Sequence, residues 1–101
     1  MARPDPPARP KVNHMKMIIL ILRDQLADGL TAALTGAQYR VTRIASTGGF
    51  LRSGTTTMLL GVEDAQVEPA ISLIRSTVGP PSPEGPRGTL FVVPVSRFEQ
   101  V

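Results

Sequence analysis

The chain has 101 residues, 11 Lys and Arg against 8 Asp and Glu, ten prolines, nine glycines and no cysteine, which leaves room for one small domain and excludes two. Without cysteine there is neither a disulfide framework nor a thiolate metal site, so burial must come from aliphatic packing or from neighbouring subunits. The net charge of +3 is uneven: Arg3, Arg9 and Lys11 face only Asp5 in residues 1–14, leaving +1 for the rest, a nearly neutral body that does not suit a nucleic-acid polymer.

Residues 1–14 combine Pro, Arg and Ala with almost no large apolar side chain, which predicts a disordered arm and places the folded domain at 15–101. That arm has no apolar stretch of the secretory type, and the longest apolar run, Met17 to Leu22, falls far short of the roughly 20 residues of a membrane helix. A cytoplasmic protein without membrane insertion is the expectation.

Lys16 to Leu22 is a short, continuous, Ile-rich run and predicts a first strand buried on both faces. Leu26, Leu30, Ala33 and Leu34 then recur at intervals of three and four, a first helix with Asp24 as its expected N-cap and Gly36 as its stop. Tyr39 to Ser46 predicts a second strand, and Thr55 to Val62 a third, antiparallel to it. Asp64 is the expected cap of a second helix carrying Val67, Ala70, Ile71 and Ile74, with Pro69 in its first turn. Gly79 to Gly88, with four prolines, is a loop, and Thr89 to Val95 a last strand whose Pro94 marks an edge or an exit.

The order βαββαβ defines a ferredoxin-like α+β fold, a four-stranded antiparallel sheet with two helices on one face. Because the first strand is apolar on both sides, the second sheet face calls for a partner, and the chain is expected to form an oligomer.

Enzyme chemistry is poorly provided for. The single histidine, His14, lies in the arm, which leaves a catalytic triad or a histidine metal site within one fold unsupported. The acidic residues lie at helix starts, on helix surfaces or in loops, where capping and solubility explain them. The informative stretch is Gln38 to Gly61. Gly48 and Gly49 could turn successive amides toward a phosphate, Thr47 adds a hydroxyl, and Arg40, Arg43 and Arg52 supply charge. Phe50 beside them offers a stacking surface of roughly 1–3 kcal/mol per base. Taken by itself the same segment is more often a hairpin connection whose Phe50 and Leu51 fill the core or a subunit interface, and the arginines more often a solvated strand face.

The run Arg-x-Thr-x-x-x-x-Thr-Gly-Gly-Phe-Leu-Arg (Arg40 to Arg52), with MKMIILIL before it, Gly61 after it and a closing FVVPVSRFEQ, resembles the PII-like cyclic di-AMP receptors, small bacterial signal-transduction proteins. The resemblance runs from Met15 to about Gln100 and is broken at the proline-rich loop. It implies a homotrimer that binds cyclic di-AMP between subunits, reorders loops to regulate a downstream protein, catalyses nothing and needs no cofactor. It also implies the ligand-binding residues: Gln38, Arg40, Val41 and Thr42 at the start of the second strand; Thr47, Gly48, Gly49, Phe50, Leu51 and Arg52 in the closing loop; Thr55 and Gly61 on the third strand; and Gln100. Relatives commonly carry Asn where this chain has Gln38 and Thr55, and a longer stretch where it has Gly79 to Gly88. Three other readings compete: a PII-type trimer binding ATP, a small phosphate-handling enzyme using Arg23 or Arg40, and a metal-linked trimer, which the lack of cysteine and of a domain histidine disfavours.

Overall fold

The structure is a computed structural model and describes residues 14–44 and 54–101. In chain order the elements are β1 (Met15–Arg23), α1 (Asp24–Gly36), β2 (Val41–Ile44), β3 (Thr55–Glu63), α2 (Val67–Val78) and β4 (Gly88–Pro94), with a 3-10 turn (Asp64–Gln66) leading into α2. The sheet runs β2-β3-β1-β4, and each neighbouring pair is antiparallel. This is the expected ferredoxin-like arrangement, with the most apolar strand in a central position. Pro94 closes β4, an edge strand. No helix among the described residues is long and apolar enough to cross a membrane.

The pleat sorts the strands' side chains into two sets. Ile18, Leu20 and Leu22 of β1 and Met58, Leu60 and Val62 of β3 are buried beneath the helices, where they meet Ala27, Leu30 and Leu34 of α1 and Ala70 and Ile74 of α2. These aliphatic groups, each worth about 1.5–3 kcal/mol when the side chain is large, form the core. The alternate residues face away from the helices. There Ile19 stands directly across from both Leu59 and Phe91, flanked by Met17 and Ile21 on its own strand, and Phe91 remains 50% exposed. The second sheet face is therefore apolar across its middle.

Two expected caps are corrected. Neither helix has a side-chain N-cap bond. Asp24 is the first residue of α1, and its carboxylate accepts a hydrogen bond from the buried Thr56 hydroxyl while its amide donates to the Gly54 carbonyl (2.7 Å). Asp64 precedes α2 by a full 3-10 turn; it pairs with Lys16 (3.1 Å), and its amide donates to the His14 carbonyl (2.6 Å). In each case a partner on a distant strand outcompetes the local amides, so the two aspartates tie helix starts to β3 and β1 rather than cap them. Gly36 is likewise not the stop but the last helical residue. The described part of β2 is shorter than expected and leaves Tyr39 and Arg40 in the preceding turn.

Candidate functional site

The turn between α1 and β2 starts the site. The Tyr39 amide donates to the Leu34 carbonyl and the Gln38 amide to that of Thr35, both at 2.9 Å, the bonding pattern of a Schellman stop. Its geometry puts Gln38 at φ 75°, the left-handed position that glycine or asparagine normally fills. A glutamine there is strained, and strain of this sort concentrates where a side chain has another task. The Asn expected at this position from the resemblance would sit there more comfortably.

Gln38 and Arg40 line an open pocket of about 310 Å³ together with Tyr39, Gly61, Glu63 and Gln66. Continuing the β2-β3 register one step beyond Val41 and Leu60 brings Arg40 opposite Gly61, which explains how residues so far apart in sequence share a wall. Gly61 is exposed, its φ is not positive, and among the described residues nothing lies within 4 Å of where its Cβ would be. Glycine weakens a strand interior, and among the described residues neither backbone conformation nor packing demands it here. The pocket offers one cation, Arg40, without a carboxylate partner among the described residues, and one anion, Glu63. It also holds two side-chain amides and a phenol, the Tyr39 hydroxyl donating to the Gln66 Oε1 at 3.3 Å. That set suits a molecule carrying both an anionic group and amine donors.

The remaining predicted residues are dispersed. Val41 packs against the core, so on this edge strand only its backbone is presented outward. Thr42 is exposed on the second sheet face opposite Leu59. Thr55 pairs with Arg23 at the far end of β3, about 20 Å from Gly61 at about 3.3 Å per residue. Gln100 is exposed beyond β4, the edge opposite β2. Thr47, Gly48, Gly49, Phe50, Leu51 and Arg52 lie outside the described residues. Sequence reasoning missed Tyr39, Glu63 and Gln66; no spacing rule links Tyr39 to Gln66, which only the packing of the two turns brings together.

Two other arginines are engaged within the chain. Arg43 pairs with Asp28 at 2.9 Å, and Arg97 with Glu99. Among the described residues no group of three or more metal-ligating side chains occurs.

Solved structures of this fold agree with the architecture. A functionally unknown protein from Pediococcus pentosaceus ATCC 25745 is 28% identical, with a TM-score of 0.72 over 88% of this chain and 99% of that one. PII of Arabidopsis thaliana, solved bound to citrate, is 25% identical, with a TM-score of 0.67 over 83% of this chain and 79% of that one. A DUF3240 family protein from Shewanella baltica OS155, at 10% identity and a TM-score of 0.62, covers 87% of this chain and 97% of that one and shows the fold alone. The class is thus a PII-like protein of ferredoxin-like fold. More specifically, the family model described as cyclic-di-AMP receptor matches residues 15–80, and the chain belongs to that family.

Proposed function

We propose that the chain is a non-enzymatic sensor that binds cyclic di-AMP between the subunits of a homotrimer and, by reordering loops, alters its contact with a downstream protein. The observation that carries this reading is the pocket shared by Gln38, Arg40 and Gly61, three of the residues that the resemblance implies for the site. The wide dispersal of the others favours a site completed by a neighbouring subunit. Gln38 and Arg40 belong to the β2 edge and Gln100 follows the β4 edge, so a β4 edge from one subunit beside a β2 edge of the next would unite them. The pocket of about 310 Å³ is also at the small end of the range of about 300–1,000 Å³ for small-molecule sites, as half of a shared site would be. In this reading Arg40 meets a phosphodiester, Glu63 faces an exocyclic amine, and Phe50 stacks on adenine.

Calorimetric titration with cyclic di-AMP, cyclic di-GMP, ATP and AMP tests the reading. Binding of cyclic di-AMP alone at about micromolar affinity is expected; silence with it and binding of ATP would make the protein a PII-type ATP sensor instead. Phe50→Ala is expected to weaken binding about 5- to 100-fold, the loss of roughly 1–3 kcal/mol of stacking, with the oligomer unchanged by light scattering. Dissociation of the oligomer would make Phe50 an interface residue. Steady phosphate release from acetyl phosphate, lost on Arg40→Ala, would replace the sensor by an enzyme.

Gln38 provides a further check. Gln38→Gly is expected to raise stability by about 0.5–1 kcal/mol, since relief of the left-handed conformation exceeds the added freedom of the unfolded chain. The same change should weaken nucleotide binding. Urea unfolding at one fixed protein concentration, paired with the titration, reads both; a stabilised variant with undiminished affinity would remove Gln38 from the site.

A further inference from the structure

A second and larger cavity lies at the other edge of the sheet. About 740 Å³ opens between α2 and β4, floored by Leu22 and Leu90, walled by Ile71 and Val78, and closed at one end by the proline-rich loop after α2. It exists because the helices do not fully cover the helix-facing side of β4: Leu90 is only half-buried, and Val92, opposite the fully buried Ile18, is 38% exposed. Two arginines stand beside this apolar trough, Arg75 from the last turn of α2 and Arg87 from the loop. Neither has a carboxylate within ion-pair distance among the described residues. Arg87 is held in place by its Nε, which donates to the Pro80 carbonyl at 2.7 Å and leaves the terminal nitrogens of the fork for another acceptor. A guanidinium fixed in advance loses little freedom on binding an anion. The C-terminal end of α2 contributes about half a negative charge nearby, which the two full positive charges outweigh.

An apolar trough with a doubly cationic rim matches a molecule with an alkyl body and one anionic head. We propose that the α2–β4 cavity binds an amphipathic carboxylate, its chain along Leu22, Ile71 and Leu90 and its head between Arg75 and Arg87. The site is complete within one chain. It faces away from the second sheet face, and within one chain it is a separate pocket from the one that holds Arg40 and Gly61.

The probe is decanoate, titrated below its micellar concentration into the full isotope-labelled chain and followed by amide NMR shifts, with decanol as the uncharged control. Saturable shifts centred on residues 71–90 and on Leu20 and Leu22 are expected, with decanol binding at least tenfold more weakly. The double substitution Arg75→Gln, Arg87→Gln is expected to lower decanoate affinity about tenfold or more, and Ile71→Trp, which fills the trough, to abolish it. Absence of saturable shifts, shifts scattered over the surface, equal binding of decanol, or full affinity in the arginine variant would each overturn the proposal. The arginines lie at the rim, so their replacement decides the matter even if Ile71→Trp does not fold.

Discussion

Ile19→Asp is expected to leave the protein monomeric where the unsubstituted chain sediments as a homotrimer. Ile19 is the midpoint of the Leu59–Ile19–Phe91 row on the face turned away from the helices, with Met17 and Ile21 on either side along the strand. An apolar surface of this kind on a central strand is unusual for a sheet face meant for water. If three copies bury it against one another, the substitution places three carboxylates in one dry region, each without a partner. The cost is at least several kcal/mol per trimer, because an isolated buried charge is among the least tolerated groups in a protein interior. The subunit itself should survive, since its own core lies on the opposite face, among Ile18, Leu20 and Leu22. Sedimentation equilibrium and circular dichroism check the two halves of this expectation. A chain that is monomeric before substitution, or trimeric after it, would show that the second sheet face is not the assembly surface. In the proposed arrangement the monomeric variant should also lose nucleotide binding, because each site needs two edges.

The second large effect is expected from Gly61→Val. A valine is a better strand residue than glycine, and open space awaits its side chain, so the subunit should be as stable as before or more so by some tenths of a kcal/mol. Yet the new side chain would stand in the pocket beside Arg40, where a ligand is to approach the backbone. Affinity for cyclic di-AMP should fall by a hundredfold or more in calorimetry, with the unfolding midpoint retained. Retained affinity would mean that the missing side chain serves no ligand. Loss of the oligomer would mean that another subunit, not the nucleotide, comes close at Gly61.

These expectations draw on different layers of information. The β1 run could be read as a strand greasy on both faces because a side chain's direction in a strand depends only on its parity in sequence, and the helical faces could be read because their period is equally local. Arg40 and Gly61 were also within reach of the sequence, through the extended run that resembles the cyclic di-AMP receptors. The roles of Asp24 and Asp64 were not. Each is a good N-cap by residue type, but Thr56 and Lys16, more than thirty residues away, offer better partners once the sheet has formed. Tyr39 and Gln66 carry no motif and meet only because the turn after α1 packs beside the turn before α2.

What the sequence alone determined was the order of elements, the aliphatic core and the family, all of which rest on local periodicity and on a contiguous run of residues. Only the tertiary structure decided that Gln38 takes a left-handed conformation at a helix stop, that it shares a pocket with Arg40 and Gly61, and that Thr55 and Gln100 stand at other corners of the sheet. The physical reason is the antiparallel register. It converts separation along the chain into opposition across strands, so neighbours in a motif can end about 20 Å apart while residues some twenty positions distant face each other.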